Sequence, residues 1–245
     1  MSKGWIVAKA LFYILAFAGA LFVLYNLRQA GQGLDRARVS AKQVPVEVFT
    51  PQGLSEPRPA VVIAHGFSVC KQYMYPFAYT LARNGYVAAV LDFSGHGKNP
   101  RPFPSDLEQA HTEESPLTAD LRAALDYVRG LPSVDPGRVA LIGYSMGSAV
   151  VTRYARDHHQ EIAATIAVSG IFSDVLPAQP RNLLWLTGAW EMASLKAVAR
   201  DALAACSGHE PGELSGDLAA GTACKLVFVP HAEHVTMPFN PVTLS

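Results

Sequence analysis

Apolar and polar positions alternate along this chain in three distinct ways. From Trp5 to Leu27 the sequence is apolar apart from Lys9 and Asn26, with no polar face at helical spacing. A helix apolar all round is a core helix or a membrane span, and a hydrocarbon core of ~30 Å takes about 20 helical residues. Residues 1–27 therefore read as an N-terminal transmembrane anchor, with the Lys9 stem snorkelling and with Trp5 and Tyr25 placed like interfacial aromatics. Ala16-Phe17-Ala18 offers a small-residue cleavage site for the rival reading, a signal peptide, but Leu21 to Tyr25 carries the apolar run past it. Residues 28–43, with Gly31, Gln32 and Gly33, read as a polar juxtamembrane linker, and Val44 to Phe49 alternates like a first edge strand.

Beyond residue 44 the pattern changes to short apolar runs separated by helical spacing. Pro59–Ala64, Tyr86–Leu91, Arg138–Ile142, Ile162–Val168, Asn182–Thr187 and Lys225–Pro230 are rich in Val, Ile, Leu and Ala and predict buried strands. Tyr75 to Asn84 has helical spacing and stops at Gly85. Leu117 to Arg129 is a second helix with Leu121, Leu125 and Val128 on one face, followed by a predicted turn at Asp135-Pro136-Gly137. Strand, helix and strand in repetition predict an α/β domain over residues 44–245, with a mostly parallel central sheet covered on both faces.

Composition adds exclusions. With 50% hydrophobic and 16% charged residues and a formal net charge of zero, the chain can fill one core but offers no basic block for nucleic acid. Cys70, Cys206 and Cys224 form no Cys-x-x-Cys pair and have no histidine at ligand spacing, which argues against a metal site. Their odd number leaves at least one free thiol, and a Cys206 to Cys224 disulfide stays open as a feature of an exported domain. Lys3, Lys9 and the amino terminus precede the membrane core of this segment. Arg28, Arg36, Arg38 and Lys42 follow it against Asp35, a narrow basic excess that points the domain toward the cytoplasm and leaves the side undecided.

The candidate chemistry sits where strands end. Gly143-Tyr144-Ser145-Met146-Gly147 follows an apolar run and precedes a helical stretch, and a serine held between two glycines suits a sharp strand-to-helix turn. His65-Gly66-Phe67 and Asp92-Phe93-Ser94-Gly95-His96-Gly97 close the two earlier runs. Together, in this order, the three motifs resemble the α/β-hydrolase superfamily, nearest to its esterase and serine-aminopeptidase-like branch, over roughly Val44 to Phe239. The resemblance implies an α/β-hydrolase fold; in departure from the family pattern only about a dozen residues separate Val168 from Asn182, so no large cap domain is expected. The resemblance also implies a nucleophile, acid and histidine in that chain order. Ser145 takes the first role. Glu191, in Gly188-Ala189-Trp190-Glu191, matches the second, with Asp174 as the alternative acid, and His234 matches the third, with His231 as its competitor. The oxyanion donors implied are the backbone N–H groups of Phe67 and Met146.

The expected reaction is hydrolysis of a carboxylic ester through an acyl-enzyme on Ser145, without cofactor. The alternatives are an amide or peptide bond, or a non-catalytic membrane-tethered binding module. A small-molecule ester or amide and a membrane, met through residues 5–27, are the partners expected; oligomeric state is not specified. Relatives add a final helix after the histidine loop. Asn240 to Ser245, with Pro241 at a first turn, supplies only its start, so that helix is expected to be missing.

Overall fold

The computed structural model describes residues 3–104, 112–206 and 210–245. Residues 1–2 of the expected anchor and 207–209 of the loop before the last strand lie outside the described residues. An eight-stranded sheet organises the chain in the order β1-β2-β4-β3-β5-β6-β7-β8. Its strands are β1 (Leu34–Ala41), β2 (Val44–Pro51), β3 (Arg58–Ala64), β4 (Val87–Leu91), β5 (Val134–Tyr144), β6 (Ala164–Val168), β7 (Leu183–Gly188) and β8 (Cys224–Val229). From β4 to β8 all neighbours are parallel, while β1 and β2 are antiparallel to each other and β2 to β4.

The pleat decides which side chain meets which helix. On β3, Val62 and Ala64 join a core with Leu117, Leu121 and Leu125 of α3 (Pro116–Arg129) and Val150 and Val151 of α4 (Met146–Asp157). Their neighbours Val61 and Ile63 face the opposite way, onto Phe77, Ala78 and Ala82 of α2 (Tyr75–Arg83). A third cluster packs Ala199, Ala202 and Leu203 of α5 (Ala193–Cys206) on Trp185 and Leu226. With both faces covered, the strands can be apolar throughout. Cys206, at the end of α5, is joined to Cys224 of β8 in a disulfide with Cα atoms 6.3 Å apart, and Cys70 is free.

Three expectations need correction. The 28–43 linker instead contains β1, and β2 is not the edge strand but lies between β1 and β4. Leu34, Val39 and Ala41 of β1 pack on the core, and charge is added between them: Arg36 and Arg38 both reach the carboxylate of Glu47 on β2, which also accepts from the Tyr75 hydroxyl at 2.6 Å. Burial alone would raise the pKa of Glu47, but the hydrogen bonds from Arg36 and Tyr75 hold it below the usual carboxylate range. The Arg36 guanidinium also lies over the Phe49 and Tyr75 rings, at 5.2 and 4.8 Å. Asp135-Pro136-Gly137, expected as a free turn, is a bulge within β5, where the register with β3 shifts between Arg58 and Ala60. The Asp135 carboxylate accepts the Gly137 N–H at 3.0 Å and so stabilises the irregularity locally.

At the other end, a short helix, α6 (Pro241–Leu244), is capped by Asn240, whose side chain accepts the Val242 N–H at 2.9 Å. The N-terminal helix α1 (Lys3–Ala30) extends the apolar segment by several residues. Its described apolar side chains are exposed, Phe12 and Phe22 to 67% and 69%.

Candidate active site

Every parallel strand ends on the same edge of the sheet, and that edge gathers the predicted residues. Ser145 stands between β5 and α4 with φ 51° and ψ −117°, a left-handed conformation that a non-glycine residue adopts at a cost of order 1–3 kcal/mol. Its two glycines are required by contact. A Cβ on Gly143 would lie 2.3 Å from the Gly147 carbonyl oxygen, and one on Gly147 would lie 2.5 Å from the carbonyl oxygen of His65. Both obstacles are backbone and cannot swing away. Gly147→Ala is therefore expected to destabilise the fold by about 4 kcal/mol, in the range of severe overpacking and strain. Urea denaturation of the variant beside wild type measures it.

His234, on the loop after β8, points Nε2 at the Ser145 hydroxyl, 2.9 Å away, and Nδ1 at Oε2 of Glu191, 3.5 Å away. Glu191 lies between β7 and α5, with its side chain fully buried. Its second oxygen, Oε1, accepts from the Ser169 hydroxyl at 2.5 Å and from the Gly188 N–H at 3.1 Å. Burial pushes the pKa of this carboxyl up, but the hydrogen bonds from His234, Ser169 and Gly188 outweigh it and leave Glu191 below the usual carboxylate range. A buried anion thus faces the imidazole edge that lies away from the serine.

The competitors lie elsewhere. Asp174 accepts two bonds from Arg153, at 2.9 and 3.2 Å, and one from Arg156 at 3.2 Å, on the surface beside α4. His231 packs its ring edge-on against Trp190, 5.2 Å between centroids. Neither is paired with Ser145 or Glu191.

Some contributors were not legible beforehand. Ser169, with φ 52° just after β6, carries no motif of its own in the sequence, yet it holds Glu191. Tyr144 donates from its hydroxyl to the His234 carbonyl at 3.0 Å, and Tyr73 donates to the carbonyl of Val235, so two phenols pin the histidine loop. Burial pushes the Tyr144 phenol up, which keeps it a donor. Its place next to the nucleophile was the available signal.

The loop 65–67 closes over the serine. A Cβ on Gly66 would lie 2.9 Å from the Tyr144 ring and 3.1 Å from the Ser145 Cβ, so a larger residue would push on both. His65 is fully buried: Nε2 accepts the Phe93 N–H at 3.1 Å, which leaves Nδ1 to donate to the Gly66 carbonyl at 2.7 Å. His96 is held similarly, accepting from the Ser68 N–H at 3.2 Å and facing the Ser94 carbonyl at 3.0 Å. Desolvation lowers the pKa of His65 to about 4. A histidine whose folded pKa lies below its unfolded value binds fewer protons folded than unfolded, so stability falls as pH drops from about 6.5 toward 4. The expected loss from this group is about 2–3 kcal/mol between pH 7 and pH 4.5. It is measured as the difference between the urea-unfolding pH profiles of wild type and His65→Gln.

No group of three or more His, Cys, Asp or Glu side chains suited to a metal ion occurs among the described residues. The Phe67 amide lies on the loop beside Ser145. The Met146 amide is the first of α4 and has no carbonyl one turn back to bond.

Comparison with known proteins agrees with this architecture. A sequence family described as serine aminopeptidase, S33, matches residues 55–211, more than half of the chain and a stretch that includes Ser145 and Glu191 but stops short of His234. An uncharacterized protein of Mycobacterium tuberculosis H37Rv is 34% identical over 97 residues, 40% of this chain, and the match takes in 31% of that relative's length. Among solved structures, a predicted CIB-like hydrolase from Thermoplasma acidophilum superposes with a TM-score of 0.60 at 17% identity, covering 86% of this chain and 96% of that one. Est1E from Butyrivibrio proteoclasticus, solved with ferulic acid bound, gives a TM-score of 0.61 at 17% identity over 81% of this chain and 91% of its own. At these identities the structural matches speak for the fold alone.

Proposed function

The chain belongs to the serine aminopeptidase, S33 family of α/β hydrolases, and from that premise we propose that it is a membrane-anchored serine hydrolase cleaving carboxylic esters. The observation that carries the reading is the 2.9 Å hydrogen bond between Ser145 Oγ and His234 Nε2, made by a serine in a strained turn. A serine hydroxyl is a weak nucleophile near neutral pH and needs a base in reach. In this reading Ser145 Oγ attacks the carbonyl carbon while its proton passes to His234 Nε2. Glu191 fixes the imidazole with Nδ1 protonated and stabilises the imidazolium. The amides of Met146 and Phe67 receive the oxyanion. The leaving alcohol takes the proton from His234, and water, deprotonated by the same nitrogen, then frees the acid from Ser145.

Ester rather than amide is favoured by the rim. Phe67, Trp190, Met192 and Val235 are all more than half exposed on this edge and offer apolar contact to an acyl or alcohol group. Glu233, the residue before His234, caps the following turn through the Val235 N–H rather than standing free for a peptide amine. We expect kcat/KM for a short-chain aryl ester to exceed that for an aminoacyl arylamide by at least about 100-fold; a preference for the arylamide contradicts the ester reading.

The anchor is proposed from α1, which contains one segment, Val7–Ala30, long and apolar enough to cross a membrane. The Cys206–Cys224 disulfide favours the oxidising side, against the small basic excess after the span. Alkylation of the unreduced, unfolded chain taken from cells is expected to modify Cys70 alone; modification of all three cysteines contradicts the oxidising location.

A further inference from the structure

We infer that the domain stands on the bilayer with its catalytic edge turned away, so that its substrate arrives from the aqueous phase rather than from the membrane that holds it. This rests on the proposed anchoring through α1. Strand β4 runs parallel to β3, and β2 runs against it, with Val46 opposite Leu91. The start of β2 therefore lies at the catalytic edge and its end, Pro51, at the opposite one. Leu34 pairs with Pro51 and Ala41 with Val44. The chain thus enters the sheet from α1 at the edge opposite Ser145, His234 and Glu191.

The connection is short. Only Gly31, Gln32 and Gly33 lie between the end of α1 and the start of β1. Fully extended, the path from Ala30 to Leu34 spans at most about 14 Å. It is folded further into turns, with Gln32 N–H bonded to the Gln29 carbonyl at 3.2 Å and Leu34 N–H to the Gly31 carbonyl at 3.3 Å. Two contacts tie it to the lower edge: Gln52 N–H donates to the Gly33 carbonyl at 2.9 Å, and Arg83, at the end of α2, donates to the Gln29 carbonyl. Meanwhile the eight residues of β1 rise about 25 Å to the catalytic edge. An inverted stance would hold Leu34 about that far above the bilayer, beyond the tether's reach. The exposed apolar rim at Phe67, Trp190, Met192 and Val235 is therefore not a membrane-docking surface for this anchor. It suits the apolar part of a dissolved ester.

The test uses the full chain in phosphatidylcholine–phosphatidylglycerol vesicles carrying a headgroup nitroxide, after an alkaline carbonate wash. A fluorophore is placed on Gln52→Cys, beside the tether, or on Met192→Cys, on the catalytic edge, each with Cys70→Ala. The expected result is quenching at position 52 at least five-fold stronger than at position 192. Equal quenching, or stronger quenching at 192, in wash-resistant protein overturns the orientation while leaving the anchor intact. Protein released by the wash overturns the anchor and the orientation with it.

Discussion

Ser145→Ala is expected to lower turnover of an aryl ester by about 10^5–10^6-fold, as loss of the nucleophile does in other acyl-transfer serine enzymes. Stability should change by less than about 1 kcal/mol. The reason for the second part is local. Alanine meets the same strain at φ 51° that serine does, and among the described residues the hydroxyl is hydrogen-bonded to His234 alone. The backbone bonds of this residue, its N–H donating to the Val168 carbonyl and its carbonyl accepting from the Ser148 N–H, both 2.9 Å, are untouched. Single-turnover kinetics together with urea denaturation check the pair of expectations. A variant that keeps more than a hundredth of wild-type activity removes Ser145 from the chemistry.

Glu191→Gln is expected to reduce kcat by about 10^4-fold with little change in KM, because it reverses the tautomer of His234. Ser169 and the Gly188 N–H both donate to Oε1, so an acceptor must stand there. A glutamine then keeps its carbonyl on that side and turns its NH2 toward His234 Nδ1. Nδ1 can only accept from it, which moves the imidazole proton to Nε2, facing Ser145, where a base is needed. Asp174→Asn, breaking only surface pairs with Arg153 and Arg156, should leave kcat within about two-fold. The reverse ranking would make Asp174 the acid. The sign of the pH effect also follows. A depressed folded pKa means that Glu191 adds stability above the ordinary carboxylate value, lost as pH falls through the folded one. In Glu191→Gln that acid-side loss is absent.

What the sequence revealed follows from which forces leave a local trace. Strands buried on both faces must be apolar throughout, so β3 to β8 stand out as runs, and a serine between two glycines that backbone contact forbids to grow stands out as a motif. Strand β1 left no such trace. Its residues Asp35, Arg36 and Arg38 look like linker, and it is a strand because it pairs with β2 along its length, with Glu47 and Tyr75 supplying partners for its arginines. The parts played by Ser169 and Tyr144 leave no local mark for the same reason: each makes a hydrogen bond to a site residue 22 or 90 positions away. The stance proposed for the domain likewise leaves no mark in the apolar segment, since it depends on the direction of β1.

The central claim is that Ser145 is an activated nucleophile, and covalent labelling tests it most directly. The full chain is treated with a fluorophosphonate at neutral pH, digested and mapped by mass spectrometry, beside Ser145→Ala and His234→Ala. The account predicts one phosphonylated residue, Ser145, with labelling lost in the first variant and slowed at least about 10^3-fold in the second. An unlabelled wild type, or a label that persists in Ser145→Ala, would contradict it.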